Sequence, residues 1–577
     1  MPTHSASSIA IRLIAAAALV LPWSAGSLHA QVTIVPTTPQ VGSSNPATAE
    51  PLVPRPTTKP CVVQLFQDME FDNYTPQSFS YTPPADCPGP WAKVVFTADF
   101  TVTAGTQFDR TGAFYLGHAN LWYGTTAEPR TNLSPSWHVE RDVTDLSAIF
   151  QASQTGEANL GNYVGVYDGV NYNGIIYANA ALEFYPANIR NPAPRTPDIV
   201  VPVNGPGGDA GTLNTGADQI TQALDLPRNV ENAYLDVIAQ NQIGDEFWYF
   251  CVPNDQTANL ESCGNTAFRE VEVSIDGQPA GVAPAYPWIF TGGIDPFLWE
   301  PIPAVQTLDL APYRVDLSPF AGLLSDGSTH TVAVSVYNAN GYFLATANLL
   351  VYTDHGSKSV SGGLISSTLS AAPNPSIQEN ITSNNGTYTG NILTTSNRSF
   401  AIRGYVNTSH GRVDTTVQQS VGFSNNQEFI VSATQDEQNV QQLSTVSSTT
   451  TTRDGPFVTT AQRNFRYPLN IDYNFVVNSD GSADQYTTVQ QGWTKDEAKN
   501  LDGFPIEGSN TSNSVNATDT LQFNASGDFI GNVNSRTTGT YTWKDSSGGC
   551  YSRTISAAAQ ALTGVKDGQG CGGGPWF

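Results

Sequence analysis

Charged side chains are scarce in this 577-residue sequence, at 13%, against about 25% in an ordinary soluble domain. Basic residues are the rarer kind, 25 against 50 acidic ones, so the formal net charge is −25. An acidic protein is repelled by nucleic acid and by anionic membrane surfaces, which excludes both as expected partners. Because few ion pairs can be lost by protonation, the composition suits a protein that works in an acidic medium.

The common catalytic motifs are also missing. The sequence has no HExxH, GxSxG, Walker or paired CxxC pattern, and after residue 30 its only histidines are His118, His138, His330, His355 and His410. A zinc site or a Ser/His/Asp triad would need members scattered along the chain, so we predict no metal and no cofactor. Carboxylates remain as the expected catalytic groups.

Long apolar runs are absent, since no stretch reaches the roughly 18 residues of a membrane-spanning helix. Residues 1–30 are typical of a secretory signal peptide, with Arg12, the apolar run Leu13–Leu21 and a cleavage site at Leu28-His29-Ala30. Residues 31–58, rich in Pro, Thr and Ser, predict a flexible leader. We therefore expect a soluble protein that is secreted or periplasmic.

Cysteine is rare, and the six residues form three local clusters. In an exported chain without CxxC or neighbouring His, cysteines favour disulfides over a metal site. Free buried thiols are the alternative. The clustering favours one local bridge in each region: Cys61–Cys87, Cys251–Cys263 and Cys550–Cys571.

Helical periodicity is almost absent as well. Runs rich in Val, Ile, Tyr and Phe alternate with turns rich in Gly, Pro, Asn and Asp, which is the pattern of antiparallel sandwiches and jelly rolls. The one expected helical turn is Val143–Phe150, with Thr144 or Asp145 as its N-cap. The runs predicted as strands are Val62–Phe66, Ala92–Phe100, Gly112–Leu116, His138–Asp142, Tyr163–Tyr167, Ile175–Phe184, Ala233–Ile238, Glu246–Cys251, Arg269–Ile275, Ala280–Ala283, His330–Tyr337 and Ala347–Tyr352.

These patterns predict an all-β fold of two adjacent jelly-roll or β-sandwich domains followed by a C-terminal β-rich domain. We place the first jelly roll at 59–190, a linker or long loop at 191–216, the second jelly roll at 217–357 and the C-terminal domain at 358–577. The last region is rich in Ser, Thr, Asn and Gln, which is compatible with disorder. Its alternating aromatic and aliphatic residues favour a folded domain that packs on the core without supplying the attacking group.

Two carboxylates and an arginine lie at the ends of two predicted strands. Asp109-Arg110 comes directly before the apolar run that ends at Leu116, and Glu128 follows the next run, Leu121–Thr125, in a turn. Such charged residues are either solvated edge residues or a catalytic group.

This stretch resembles the peptide-N-glycanase A family, the peptide-N4-(N-acetyl-β-glucosaminyl)asparagine amidases of plants, fungi and acidophilic bacteria. The resemblance begins with Gln107–Gly117 and continues in order through Trp137–Thr144, Gly244–Tyr249, Phe268–Gly277 and Trp288–Pro296. It implies two jelly rolls with the active cleft between them, and it places Asp109-Arg110 on the catalytic strand. It also places Phe268-Arg269 beside a second acidic position, which is Asn265 here, so that carboxylate is not carried over.

For the chemistry that the resemblance implies, Asp109 is the expected base that activates water, and Arg110 keeps it ionised or binds substrate. Glu128, Glu246 and Glu270 compete for the acid role. We prefer Glu246 to Glu270, because the turn of Glu246 brings carboxylates and aromatic residues together. Glu270 is otherwise a strand residue paired with Arg269.

The expected substrate-binding residues share a position in or beside these motifs, and the tryptophans among them either stack on sugar rings or belong to the core. They are Arg110, Asp245, Trp248, Arg269, Glu270, Trp122 and Trp288, with Trp137 and Trp299 as further stacking candidates. The turn Thr291-Gly292-Gly293 offers backbone amides to a ligand, or is a plain turn.

The resemblance thus implies a bacterial, acidic-pH amidase that releases intact N-glycans from N-glycopeptides and N-glycoproteins and converts the linked Asn to Asp. Plant members accept core α1,3-fucose, so we expect this chain to tolerate it, and we expect a monomer. The alternatives are a non-catalytic glycan-binding protein of tandem β-sandwiches and an endoglycosidase with two acids flanking a glycosidic bond.

Overall fold

The computed structural model of the chain describes residues 33–568 and Cys571, and almost all of its regular structure is β. The predicted all-β class, with β-sandwich sheets and a large C-terminal sheet, is confirmed. The predicted signal peptide, 1–30, lies outside the described residues. Within the described part, no helix is both long and apolar enough to cross a membrane.

The first sandwich consists of two four-stranded sheets, in the orders β3-β12-β5-β8 and β4-β9-β6-β7, with β10 and β11 as a separate hairpin. Its core is one apolar cluster between the two sheets. A short antiparallel pair precedes it. The strands are β1 (Thr33–Pro36), β2 (Pro51–Arg55), β3 (Cys61–Phe71), β4 (Gln77–Tyr81), β5 (Trp91–Val102), β6 (Thr111–Leu116), β7 (Ala119–Thr125), β8 (Ser136–Asp142), β9 (Gln154–Leu160), β10 (Gly165–Tyr167), β11 (Val170–Tyr172) and β12 (Ile176–Pro186).

The second sandwich pairs a five-stranded sheet, in which β13 and β14 both pair with β21 and the order continues β21-β16-β19, with a four-stranded sheet, β15-β20-β17-β18. Its elements are β13 (Ile199–Val203), β14 (Gly211–Thr215), β15 (Ile220–Leu224), β16 (Val230–Asn241), β17 (Glu270–Ile275), β18 (Gln278–Pro284), β19 (Tyr313–Asp316), α1 (Ala321–Leu324), β20 (His330–Tyr337) and β21 (Asn340–Thr353). The 3-10 turns of both sandwiches are Thr144–Leu146, Ile149–Gln151, Ile243–Asp245, Trp248–Phe250, Pro296–Trp299 and Ser318–Phe320.

The C-terminal region is one eleven-stranded antiparallel sheet of unusually long strands. Its strands are β22 (Ser361–Ser367), β23 (Ser376–Asn384), β24 (Thr387–Thr408), β25 (Gly411–Ser432), β26 (Gln435–Asp454), β27 (Phe457–Val477), β28 (Ala483–Leu501), β29 (Phe504–Phe523), β30 (Phe529–Asp545), β31 (Cys550–Ala558) and β32 (Ala561–Asp567). Residues of this sheet and of the second sandwich share a single apolar cluster, so the sheet packs on that sandwich.

Polar residues on the buried face of the C-terminal sheet are amides that reach backbone carbonyls of the second sandwich. In β25, Asn425 donates to the Tyr249 carbonyl at 2.9 Å and Gln427 to the Cys251 carbonyl at 3.1 Å. A buried amide costs free energy unless it is hydrogen-bonded, and here the bonds are made across the interface. The Asn- and Gln-rich composition therefore serves a packed interface.

The three disulfides join the local pairs Cys61–Cys87, Cys251–Cys263 and Cys550–Cys571. No cysteine among the described residues is free. Each bridge lies in a different part of the fold: the first sandwich, a loop of the second sandwich, and the end of the C-terminal sheet.

The local structure differs from the sequence prediction at four places. The range Glu246–Cys251 is predicted as a strand, but it contains the 3-10 turn Trp248–Phe250, whose aromatic side chains pack into the core. The turn at Thr144 is capped at Val143 without a side-chain bond; instead Asp142 accepts the Thr144 N–H. The range 191–216 holds β13 and β14, and the leader 31–58 holds β1 and β2 and hydrogen-bonds to β32 through Gly42 and Leu562.

Candidate active site

Asp109 and Glu128 meet because β6 and β7 are antiparallel neighbours. Thr111 at the start of β6 pairs with Thr125 at the end of β7. Beyond that pair, Arg110 N–H donates to the Thr126 hydroxyl and the Thr126 N–H donates to the Arg110 carbonyl, both at 2.8 Å. The Glu128 Oε2 atom then accepts the Asp109 N–H at 3.2 Å. The structure brings together the two carboxylates that the sequence places at strand ends.

Gly292 of the second sandwich lies against both carboxylates, Asp109 and Glu128. Its N–H donates to Asp109 Oδ2 at 2.8 Å, and the neighbouring Thr291 hydroxyl donates to the Thr126 carbonyl at 2.7 Å. A Cβ atom on Gly292 would lie 2.1 Å from Glu128 Oε2 and 3.4 Å from Asp109 Oδ2. Both carboxylates therefore contact one glycine, whose amide binds the aspartate rather than being free for a ligand.

We predict that Gly292→Ala keeps the fold and lowers kcat. The added methyl must displace the end of the Glu128 side chain, which is flexible, so the backbone is spared. A shift of about 1 Å at a catalytic group costs up to about a hundredfold in rate, and we expect about ten- to a hundredfold here. Initial rates and a melting curve check this. Gly564→Ala is the matched control, because a Cβ there meets nothing within 4 Å. Equal kcat in the two variants would contradict the assignment.

Glu246 reaches the same cleft from the second sandwich, because the end of β16 is hydrogen-bonded to the start of β6. The Gln240 Oε1 atom accepts the Thr111 hydroxyl at 3.1 Å and the Tyr123 hydroxyl at 3.0 Å. Gln242 donates to the Thr111 hydroxyl at 3.0 Å. Glu246 follows on the turn Ile243–Asp245, close enough for its pKa to be affected by Asp109.

The three acids have different electrostatic surroundings. Burial and then the charge of Asp109 raise the pKa of Glu246 to about 7, and the same two causes raise the pKa of Glu128 to about 7. Burial also raises the pKa of Asp109, but the Gly292 N–H and Arg110 oppose that shift. Backbone N–H groups and Arg110 thus favour the anions of Asp109 and Glu128, whereas among the described residues no such contact opposes the raised pKa of Glu246. Environments that differ in this way separate a base from an acid.

Arg110 contacts the backbone of Asp109 and the ring of Phe108. Its Nη1 donates to the Asp109 carbonyl at 3.0 Å, and its guanidinium lies 5.2 Å from the centre of the Phe108 ring. Its Nε atom is buried and has no acceptor within the described part of the chain. The arginine is therefore only partly satisfied by the protein, as expected of a side chain that also faces a ligand.

Asp245 and Arg269, predicted to bind substrate, form an internal ion pair. Both side chains are fully buried, and Arg269 Nη2 lies 2.7 Å from Asp245 Oδ1. The second oxygen of Asp245 accepts the Asn340 N–H at 2.6 Å. Arg269 also donates to backbone carbonyls of the loop before β17. The pair cannot contact a substrate; it fixes the turn that carries Glu246.

Glu270 is also displaced from the predicted site. It is buried at the interface with the C-terminal sheet, where Nη1 of Arg398 contacts its Oε1. Burial raises the pKa of Glu270 to about 7, and Arg398 opposes the shift. Its partner is therefore Arg398 of β24, whereas Arg269 pairs with Asp245. Asn265, at the acidic position of the resemblance, adopts a positive φ of 72° in the loop before β17, and its amide donates to the Asn338 carbonyl at 2.8 Å.

The tryptophans predicted to stack on sugars belong to the core. Trp122 and Trp248 are fully buried, and the Trp122 indole N–H donates to the Leu308 carbonyl at 3.0 Å. A ring with no exposed face cannot stack on a pyranose, so the stacking role is corrected. The same burial applies to Trp137, Trp288 and Trp299.

The segment that carries Gly292 is held from behind by the C-terminal sheet. Gln491 donates to the Pro287 carbonyl at 2.8 Å, and the Thr537 hydroxyl donates to the Leu298 carbonyl at 2.7 Å. Asp295, on the same segment, is buried against Asp519 of β29, and the two carboxyls are hydrogen-bonding partners. The C-terminal sheet thus supports the cleft without supplying a carboxylate to it.

The Asp295–Asp519 contact makes stability depend on pH. Each Oδ2 is buried without a donor among the described residues, so the two must share a proton. Burial, and then Asp519, raise the pKa of Asp295 well above its usual 3.8. The folded protein keeps this proton to a higher pH than the unfolded chain does. The proton's contribution to stability is therefore complete below the usual Asp pKa of 3.8 and is lost as the pH rises towards the raised pKa of Asp295.

We therefore predict that Asp519→Asn stabilises the protein at neutral pH and not at acidic pH. The asparagine amide donates to Asp295 without a proton from solvent and still accepts from Asn532, which donates to Asp519 in the native chain. We expect the melting temperature at pH ~7.5 to rise by at least about 2 °C, with almost no change at pH ~4. The exposed Asp528→Asn serves as control; a uniform shift at both pH values would contradict the shared proton.

No group of three or more His, Cys, Asp or Glu in the described ranges is arranged to hold a metal ion. The described chemistry of the cleft is that of carboxyl groups, one arginine and backbone amides.

Comparison with known protein families matches two parts of the chain, which correspond to the two sandwiches and to part of the C-terminal sheet. A family profile described as peptide N-acetyl-β-D-glucosaminyl asparaginase amidase A matches residues 51–370, and a PNGase A C-terminal domain profile matches residues 391–469. The peptide-N4-(N-acetyl-β-glucosaminyl)asparagine amidase A of Prunus dulcis is 32% identical over 391 residues, which are 64% of this chain and 67% of the almond protein.

Two solved structures share a weaker likeness. PNGF-II is 14% identical with a TM-score of 0.35, over 52% of this chain and 66% of its own. PNGase F from Flavobacterium meningosepticum is 14% identical with a TM-score of 0.34, over 51% of this chain and 96% of its own. The profile match over more than half of the sequence and the identity to the almond protein establish the relationship: this chain belongs to the peptide N-acetyl-β-D-glucosaminyl asparaginase amidase A family.

Proposed function

We propose that this chain, an amidase by family, hydrolyses the amide bond between N-acetylglucosamine and asparagine in N-glycopeptides and N-glycoproteins. The intact glycan leaves as a glycosylamine, and the asparagine becomes aspartate. One observation carries the proposal: Asp109, whose anion the Gly292 N–H and Arg110 favour against the effect of burial, lies beside two glutamates whose pKa values are raised to about 7.

The reaction needs a base and an acid on opposite sides of one amide. Asp109 takes a proton from a water molecule whose oxygen attacks the side-chain carbonyl carbon of the substrate asparagine. Glu246, protonated below neutral pH, gives its proton to the nitrogen that leaves with the sugar. The carbon–nitrogen bond breaks, and the glycosylamine departs.

The remaining groups position and stabilise. Glu128 accepts the Asp109 N–H and shares the contact with Gly292, so it fixes the orientation of the base. The guanidinium of Arg110 offers donors toward the oxygen that gains charge in the transition state. A planar fork serves this purpose better than the point charge of a lysine.

The direct test is the product of a defined glycopeptide. After incubation in water labelled with heavy oxygen, mass spectrometry should find aspartate carrying one labelled oxygen where the sequon asparagine stood, together with the complete glycan. A residual N-acetylglucosamine on asparagine would instead identify an endoglycosidase. Binding without turnover, at both acidic and neutral pH, would leave only the glycan-binding alternative.

The pH profile separates the two glutamates. Because the general acid must be protonated, kcat should fall as the pH rises through the Glu246 pKa of about 7. We predict that Glu246→Gln removes this alkaline limb and lowers kcat by about a hundredfold, the low end for loss of a proton-transfer group. Glu128→Gln should lower kcat while keeping the limb. A limb that survives in Glu246→Gln and disappears in Glu128→Gln would reverse the two roles.

Four finer properties belong to the same proposal. The raised pKa values of Glu246 and Glu128 support an acidic working pH, since both acids are then protonated. The signal-like residues 1–30 support secretion. Tolerance of core α1,3-fucose, and a bacterial source, rest on the sequence resemblance. A glycopeptide with core α1,3-fucose, assayed beside the same peptide with an unfucosylated core, tests the tolerance.

A further inference from the structure

A contiguous cluster of five aromatic rings, three of them exposed, lies beside Arg110. Phe108 is 46% exposed, Tyr74 67% and Tyr167 69%. Two further tyrosines link them, the half-buried Tyr163 and the buried Tyr172: Tyr172 lies 4.9 Å from Phe108 and 6.3 Å from Tyr163, measured between ring centres. Tyr163 in turn lies 6.3 Å from Tyr74 and 6.5 Å from Tyr167. We call these five rings the aromatic platform.

The platform lies on the β10–β11 hairpin and on loops of the first sandwich. Tyr167 and Tyr172 belong to the β10–β11 hairpin, in which Tyr167 pairs with Val170. The Tyr163 hydroxyl donates to the Val166 carbonyl at 3.2 Å, which ties its ring to the hairpin. The Tyr74 ring lies over Gly161, where a Cβ would come within 2.5 Å of the ring. Glycine at that position lets the ring lie against the backbone.

The platform leads directly to the reacting groups. Phe108 precedes Asp109 in sequence, and the Arg110 guanidinium lies 5.2 Å from its ring centre. Tyr74 and Tyr172 are close enough to Arg110 to act on it electrostatically. A ligand whose scissile bond lies at Asp109 would therefore extend its next part over these rings.

We propose that the aromatic platform is the subsite for the glycan of the substrate, and that it binds the sugars that follow the asparagine-linked N-acetylglucosamine. The inference rests on the proposed function, which it deepens. Large exposed apolar patches on a soluble protein mark binding sites, and tyrosine combines a flat apolar face with a hydroxyl that can bond to a polar ligand.

The glycan fits this surface better than the peptide does. Pyranose rings present flat C–H faces that repeat along the glycan, as the tyrosine rings repeat along the platform. Glycosylated peptides differ in their side chains, so a fixed row of rings matches them only by chance. Uncharged sugars also approach a protein of net charge −25 without the repulsion that an acidic peptide meets.

The test uses the full chain and three glycopeptides that share one peptide sequence. Their glycans are a single N-acetylglucosamine, chitobiose, and the mannose-containing core pentasaccharide. The variants are Tyr74→Ala, Tyr167→Ala and the two combined. We expect KM for the core pentasaccharide to rise about three- to tenfold for each ring removed, with kcat nearly unchanged, and KM for the single sugar to change least. Phe504→Ala, at an exposed ring of β29, is the control and should match the native protein.

Each outcome decides the matter. A rise of KM that grows with glycan length supports the platform. A rise of KM that is equal for all three glycans, or equal KM values in all variants, overturns it. If the native protein cleaves none of the three substrates, the proposed function itself fails; if the native protein cleaves them and the variants match it, only the platform fails. Melting curves of the variants exclude misfolding as the cause of any change.

Discussion

Asp109→Asn should lower the rate of glycan release by orders of magnitude while the protein stays folded. The asparagine keeps an oxygen that accepts the Gly292 N–H, which in the native chain donates to Asp109 at 2.8 Å. What it loses is the ability to take a proton from water. Loss of a general base typically costs about 10²–10⁴-fold in rate, and we expect kcat to fall within that range. The measurement is the rate of glycan release under substrate saturation.

The same substitution should change the two glutamates. The charge of Asp109 is the second cause, after burial, of the raised pKa values of Glu128 and Glu246. Without that charge both pKa values should fall, although burial keeps them above the usual 4.5. The alkaline limb of the residual activity should therefore move to lower pH.

Asp480→Asn, in an exposed turn of the C-terminal sheet, provides the matched control and should leave kcat and the pH limb as they are. Retention of more than about a tenth of native turnover by Asp109→Asn would be far less than the loss of a general base. In that event the assignment of the base would have to move to another carboxylate of the cleft.

The convergence of Asp109 and Glu128 was predictable because it follows from local order. Consecutive antiparallel strands bring the start of one to the end of the next, so residues that flank the pair must meet. The contribution of Gly292 was not predictable in this way. Its contact with Asp109 joins residues 183 positions apart, in different sandwiches, and a Gly-Gly turn in the sequence gives no sign of its partner.

The range 191–216 looks like a linker in the sequence because its strand β13 lies at the edge of a sheet. Strand β13 pairs only with β21, and it contains Pro202, which has no N–H to donate. A proline is tolerated on an edge strand, since one side of the strand needs no hydrogen bonds. Composition alone cannot tell such a strand from a loop, because the partner strand lies about 140 residues later in the sequence.

The tryptophans, for which sugar stacking and a core position were both open, belong to the core for a reason of size. A large apolar ring gains most from burial, and Trp122 and Trp248 lie in the cores of the two sandwiches. Tyr74 and Tyr167 lie near turns where too few residues surround them for full burial. Their position beside Gly, Asn and Asp residues was the available signal.

Arg269→Met should be the most destabilising single change near the cleft. Methionine fills much of the space of arginine, so the main effect is electrostatic: Asp245 keeps its charge at a fully buried position and loses its cation. Three carbonyls, those of Asn265, Thr266 and Phe268, lose their donor as well. Breaking a buried pair from one side costs about 3–5 kcal/mol, which urea unfolding should measure as a lower free energy of unfolding.

Arg269→Met should also affect catalysis, because the ion pair lies next to Glu246. Asp245 directly precedes Glu246, and its carboxylate also accepts the Asn340 N–H at 2.6 Å, so the pair anchors the turn at both ends. At a temperature where the variant is still folded, kcat should fall and the alkaline limb that belongs to Glu246 should shift. A variant that loses stability alone, with the native pH profile, would show that the pair does not position the acid.

A second substitution separates the lost charge from the lost shape. In the double variant Asp245→Asn/Arg269→Met no buried charge is left, while the asparagine oxygen still accepts the Asn340 N–H. Stability should therefore recover in part, since neutral replacements of a buried ion pair are far better tolerated than a lone charge. The exposed pair Arg412–Asp414 supplies the control, because Arg412→Met removes the same kind of charge in water and should leave the unfolding curve unchanged. If Arg269→Met and the double variant were equally unstable, the cost would come from the lost carbonyl contacts of Arg269 and not from the unpaired carboxylate.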